Sequence, residues 1–250
     1  MPEYLQYILL FLAGITAGFI NVNAGGGSSL TLPVLIFMGL EGAVANGTNR
    51  IGILIQTLFS VSSFRKEKVH NFKKSLRFAI FTLPGAIAGA MISVRLTDTL
   101  FRQILGLIMI GIVLTMIFSH KKKTPDMLSE SGRKNWWIYP AMVGIGFYGG
   151  FIQVGVGFLL MAAFYHLLRI HLVRVNMHKV FVVFIYTLPA LLIFVITGNI
   201  HWGLGITLAA GNAIGGWWGA KFAVKGGEKV IKIIMGIAIV VMAARLLHFF

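Results

Sequence analysis

Residues 17–29 read Ala-Gly-Phe-Ile-Asn-Val-Asn-Ala-Gly-Gly-Gly-Ser-Ser, and residues 149–157 read Gly-Gly-Phe-Ile-Gln-Val-Gly-Val-Gly. Each stretch interrupts apolar sequence. The first separates the run 5–22 from the short run 28–39, and the second separates 137–152 from the short run 156–168. Clustered glycines end helices, because glycine loses the most backbone freedom in a helix and tolerates positive φ. The other apolar runs are 44–63, 75–94, 101–118, 179–197, 203–221 and 230–248. Most are close to the ~20 residues that cross a bilayer as helix.

The composition agrees with membrane insertion. Of 250 residues, 57% are apolar and 12% are charged, and mean hydropathy is +0.86. A soluble domain carries about 25% charged residues. So few polar residues exclude an ordinary soluble protein, a disordered chain and a nucleic-acid-binding domain. The net charge of +15 comes from 22 Lys and Arg against 7 Asp and Glu. The absence of cysteine excludes disulfides and thiolate metal sites. The N-terminus, Met1-Pro2-Glu3-Tyr4, has no basic segment and does not read as a cleaved signal peptide.

Basic residues collect in cytoplasmic loops of membrane proteins. Segments 64–77, 119–135, 166–179 and 221–232 hold 18 of the 22 Lys and Arg, which puts all four on the cytoplasmic side. Connections 40–43, 95–100 and 198–202 are nearly uncharged or mixed and lie outside. Residues 136–168 must then enter and return as a hairpin folded at Gly155-Val156-Gly157, and residues 5–39 do the same from the other side. Each half becomes a hairpin plus three crossings, an odd number that inverts the second half and leaves both termini outside.

The halves also match in sequence. Gly14-x3-Gly18-Phe19-Ile20-Asn21 aligns with Gly146-x3-Gly150-Phe151-Ile152-Gln153, Asn49-Arg50 with His178-Lys179, Val69-His70 with Ile200-His201, and Gly85-x3-Gly89-Ala90 with Gly215-x3-Gly219-Ala220. The offset stays between 129 and 132 residues, the mark of a duplication. The expected architecture is an all-α integral membrane protein of two inverted-topology repeats. Each repeat is a glycine-broken re-entrant hairpin plus three transmembrane helices. The repeats are residues 1–118 and 136–250, joined by a basic cytoplasmic loop at 119–135. That plan recurs in secondary transporters, with the site at the midplane beside broken helices.

Several segments resemble the sulfite exporter (TauE/SafE) family of membrane transporters. They are Ala17-Gly18-Phe19-Ile20 leading to Gly25-Gly26-Gly27 with Pro33 beyond, the run Gly149–Gly157, Thr197-Gly198-Asn199-Ile200-His201-Trp202, and Gly215-Gly216-Trp217-Trp218-Gly219-Ala220. The resemblance spans nearly the whole chain. It implies a bacterial inner-membrane protein that exports sulfite or a related sulfur-containing anion or organosulfonate.

The residues themselves point to an anion site. The backbone N–H groups after Gly25-Gly26-Gly27, at the helix start Ser28-Ser29, suit an anion. So do those beside Gly155 and Gly157. Close helix packing is the competing reading of these glycines. Asn21, Asn23 and Gln153 flank the breaks as neutral donors. Arg50, beside Asn49, lies inside a span, where an arginine is expensive and signals function; snorkelling to the interface is its alternative. Lys179 and His178 occupy the equivalent place in the second half, with a cytoplasmic flank and a capping or core histidine as the bland readings. The paired glycines at 85/89 and 215/219 read as packing, Pro84 and Pro189 as kinks, and Trp136, Trp137 and Trp202 as interface anchors.

No Asp or Glu falls within a span, and there is no metal-binding run or Ser/His/Asp constellation. An enzyme is therefore disfavoured. No cofactor or metal is called for, and the expected partners are a small anionic substrate and the lipid bilayer. A channel or a membrane subunit of a complex is the alternative, and oligomeric state stays open.

Overall fold

The computed structural model describes residues 2–117 and 135–247. The basic loop 119–135, with Lys121, Lys122, Lys123, Arg133 and Lys134, lies outside the described residues but for Asn135. Among the described residues every regular element is helical. The helices are α1 (Glu3–Asn23), α2 (Ser28–Phe37), α3 (Gly42–Lys66), α4 (Phe72–Ser93) and α5 (Asp98–Ile117) in the first half. The second half has α6 (Ile138–Phe151), α7 (Val156–Leu168), α8 (Leu172–Ile196) and α9 (Trp202–Leu247). Three of them, α1, α4 and α8, are long and apolar enough to cross a membrane. Large apolar side chains such as Ile8, Leu107, Leu192 and Ile196 are exposed, as an outer surface facing lipid requires.

Two loop expectations are corrected. Segment 166–179 is not a loop: only residues 169–171 separate α7 from α8, and residues 172–179 already belong to α8. Part of its polar content points inward, while Arg169 and Arg174 are half-buried and His166 and His171 are exposed. Asn176, His178 and Lys179 are buried, so they are core polar groups and not flank charges. Segment 221–232 is likewise helical, apart from a kink at Gly227 (φ 59°, ψ −157°) within α9.

Small residues set the main packing. Gly14 and Gly18 of α1 press on the backbone of α9 at Leu208, Gly211 and Asn212, and Gly215 of α9 presses back on Ile15 and Phe19. In the same way Gly146 and Gly150 of α6 meet the backbone of α4 at Thr82 and Ala86, while Gly85 and Gly89 meet Val143, Phe147 and Phe151. Without a hydrophobic force between helices in lipid, such close backbone approach supplies the dispersion contact. Thus the first helix of each half packs against the fourth helix of the other. Helices α3 and α8 follow the same rule, α3 on α9 and α8 on α4, and they also pack on each other.

Hydroxyls stitch these contacts. Ser60 Oγ donates to the Gly216 carbonyl and Ser63 Oγ to the Trp217 carbonyl, each at 3.0 Å. Trp136, Trp137 and Trp202 are exposed at helix starts, consistent with interface anchoring.

Candidate functional site

The two glycine breaks meet at the centre. A Cβ on Gly25 would stand 2.6 Å from the Gly157 Cα, and one on Gly157 would stand 2.6 Å from the Gly25 carbonyl oxygen. Nothing larger than glycine fits this crossing. Gly25 has φ +87° and Gly155 has φ +70°, conformations open to glycine, and Gln153 adopts a left-handed φ of +63° without being glycine. Non-glycine residues in that region carry strain, which collects at functional sites.

Beside the crossing is a small cavity. Asn21, Ser28, Gln153, Gly157 and Lys179 line it together with Ile53, Gln56, Thr57, Val156, Val180 and Val183. Ser28 opens α2 and Val156 opens α7, so the first turns of both short helices face the same space. Helix N-termini attract negative charge. The polar lining is linked across helices: Asn21 Nδ2 donates to Gln56 Oε1 at 2.7 Å, and Gln153 Nε2 donates to Thr187 Oγ1 at 3.3 Å. Gln56 Nε2 and Gln153 Oε1 are buried with no hydrogen-bond partner. Buried polar groups without partners cost about 1–3 kcal/mol each. A ligand that accepts a hydrogen bond would offset that cost at Gln56 Nε2, and one that donates would offset it at Gln153 Oε1.

Gln56, Thr57 and Thr187 were not among the residues singled out from sequence. A signal existed for the first two. Asn49 to Gln56 and Arg50 to Thr57 are both seven-residue steps, which return to one helix face.

The remaining predicted residues are distributed around the cavity, not in it. Asn49 Oδ1 accepts from Thr31 Oγ1 at 2.6 Å, joining α3 to α2. Asn23 Nδ2 donates to the carbonyls of Phe19 and Gly219. Gly26 accepts from Ser29 Oγ, and Gly27 is wedged against Ala17 and Asn21. His178 Nδ1 lies 2.7 Å from Ser75 Oγ, with the imidazole between the rings of Phe78 and Phe164. It occupies the core between α4, α7 and α8.

Arg50 and Lys179 have parallel environments. Arg50 is completely buried; its guanidinium donates to the carbonyls of Gly149 (3.1 Å) and Gly150, in the last turn of α6. Asn46, one turn earlier, donates to the Phe151 carbonyl at 2.7 Å. Lys179 Nζ donates to the carbonyls of Asn21 (3.0 Å) and Val22 (2.6 Å), in the last turn of α1, and to Asn176 Oδ1 (2.9 Å). The last carbonyls of a helix lack intrahelical partners and carry its negative dipole end. In a membrane interior they need donors from the protein. Each half therefore supplies the cation that caps the broken helix of the other. Arg50 is neither at the surface nor at a helix end, so it does not snorkel.

No group of three or more His, Cys, Asp or Glu that could hold a metal occurs among the described residues. Apolar helices around a buried, cationic, carbonyl-bound centre describe an α-helical membrane protein. The chain belongs to the sulfite exporter TauE/SafE family, whose model matches residues 10–246.

Relatives cover the chain almost end to end. The "Probable membrane transporter protein" of Haemophilus influenzae is 26% identical over 96% of this chain and 94% of its own length. The "Probable membrane transporter protein ORF9" of a Sinorhizobium species is 28% identical over 95% of this chain and 91% of its own. The "Probable membrane transporter protein YfcA" of Escherichia coli K12 is 27% identical over 96% and 89%. No solved structure matches.

Proposed function

We propose that this transporter exports a small oxyanion, most simply sulfite or an organosulfonate, by alternating access around the central cavity. The observation that carries the reading is the cavity lining. One ammonium, Lys179, is set among neutral polar side chains at Asn21, Ser28, Gln56, Thr57 and Gln153, beside the starts of two short helices. A single full charge among neutral polar groups binds an anion without holding it too tightly to release. The site set reaches outward to Arg50 with Asn49, to His178, to Asn23, and to the backbone of Gly25, Gly26, Gly27 and Gly155, which shape the breaks around the cavity.

The inverted repeat is part of this proposal. The pairing of α1 with α9 and of α6 with α4, and the reciprocal capping by Arg50 and Lys179, support two halves related by a pseudo-two-fold axis. In an inner membrane the turn at residues 67–71 would then be cytoplasmic, and Thr197 would be outside. Cysteine labelling tests this on a chain that has no native cysteine. Lys68→Cys is expected to react only after the membrane is permeabilised, and Thr197→Cys in intact cells. The reverse pattern would overturn the topology.

Energetics follow from the charges. No buried carboxylate occurs among the described residues. A cytoplasm-negative potential alone drives an anion outward by about 2.3 kcal/mol per charge per 100 mV. Proteoliposomes offered sulfite, sulfate, a sulfonate and a carboxylate are expected to show selective flux under an imposed potential with no pH or sodium gradient. Flux that appears only with such a gradient would end the uniport reading, and no flux of any of the four would end the anion reading.

A further inference from the structure

The two buried cations do matching work in unequal surroundings. Arg50 is sealed: its guanidinium carbon lies 4.8 Å from the centroid of the Phe194 ring, both its terminal nitrogens are engaged, and it does not line the cavity. Lys179 lines the cavity, and all of its nearest acceptors are neutral. Its neighbours are the Asn21 and Val22 carbonyls, Asn176 Oδ1 and the Met161 sulfur at 3.4 Å. No carboxylate pairs with it among the described residues; Arg102 and Asp98 form an ion pair elsewhere. A buried charge without a counter-charge is costly. An anion arriving in the cavity is the missing counter-charge, and a charged acceptor outcompetes neutral carbonyls for the same protons.

Resting on the anion reading above, we infer that Lys179 is an exchangeable latch. An entering oxyanion takes over ammonium protons held by the Asn21 and Val22 carbonyls. This frees the C-terminal turn of α1 and the Gly25-Gly26-Gly27 break behind it. Arg50 keeps its hold on α6, so the break at Gln153–Gly157 stays fixed. The first half is thus the moving half, and the choice of lysine over arginine decides which half moves. A lysine suits the task because a compact ammonium on a flexible stem swings between partners, whereas a planar guanidinium fork locks onto two carbonyls.

Amide hydrogen exchange on the purified protein in nanodiscs tests this without a label, alongside direct anion binding. The probes are sulfite kept anaerobic, sulfate and methanesulfonate. In the wild type, the anion that binds is expected to speed exchange at residues 21–27 by about tenfold and to leave 149–157 unchanged. Lys179→Met is expected to show the faster exchange at 21–27 without any anion, and to bind about a hundredfold more weakly. Lys179→Arg is expected to keep 21–27 protected with anion present, because the fork holds the carbonyls.

An anion that binds while changing both breaks equally, or neither, would overturn the latch. So would wild-type affinity in Lys179→Met. If none of the probes binds the folded wild type, the anion reading fails. The latch is then judged by the anion-free comparison, where equal protection at 21–27 in Lys179→Met and wild type rejects it.

Discussion

Gly25→Ala is expected to prevent assembly of the folded transporter, and Gly144→Ala to leave it unchanged. At Gly25 two costs add. The backbone has φ +87°, which an L side chain adopts at about 1–2 kcal/mol. The new methyl would also press on backbone, 2.6 Å from the Gly157 Cα and 2.7 Å from the Phe158 nitrogen, where no flexible side chain can yield. Overpacking of that kind costs about 1–3 kcal/mol or more. Gly157→Ala meets the same obstacle from the other side, 2.6 Å from the Gly25 oxygen. Gly144, on the outer face of α6, has no heavy atom within 4 Å of its added Cβ, so it serves as the control. Yield of monodisperse protein and its thermal midpoint in detergent are the readouts. A Gly25→Ala protein with wild-type midpoint would show that the two breaks do not touch.

The second large effect is expected at Arg50. Arg50→Ala removes the donors of the Gly149 and Gly150 carbonyls and leaves them buried. At about 1–3 kcal/mol for each orphaned group, with the space left beneath Phe194 in addition, the midpoint should fall by on the order of 10 °C. Transport should be lost as well, because the end of α6 carries Gln153 into the cavity lining. Arg50→Lys should lie between. It keeps the charge but replaces a fork that reaches two carbonyls with a single point of donation. From sequence, Arg50→Ala would be expected to spare folding, since an intramembrane arginine reads first as a ligand. The structure shifts that expectation, because the guanidinium is a cap for the other half's helix. Wild-type midpoint and flux in Arg50→Ala would remove Arg50 from both roles.

Much of this protein is legible in one dimension. Hydropathy specifies membrane helices without reference to neighbours, because a lipid-exposed backbone must satisfy its hydrogen bonds within its own segment. The glycine clusters at 25–27 and 155–157 likewise fix where helices stop, since that is a local property of φ and backbone entropy. The helix bounds at Asn23, Ser28, Phe151 and Val156 fall within a residue or two of the run ends read from sequence. Motifs that recur at offsets of 129 to 132 residues predict two halves, because such an offset is a property of the chain itself.

What only the tertiary structure decided concerns polar residues whose meaning depends on a distant partner. The stretch 172–179 has the composition of a loop flank, yet it is helix, and Lys179 within it is satisfied by Asn176 Oδ1 and by the end of α1, some 157 residues away. The same holds for Arg50 with Gly149 and Gly150, and for Gln56, which joins the cavity by way of Asn21. Charge and hydropathy along the chain report the side chain's own preference for water. Whether a buried cation faces a carbonyl cap, a sealed ring or a small cavity is set by which helix the fold brings opposite it, and for Arg50 and Lys179 the capped carbonyls come from the other half.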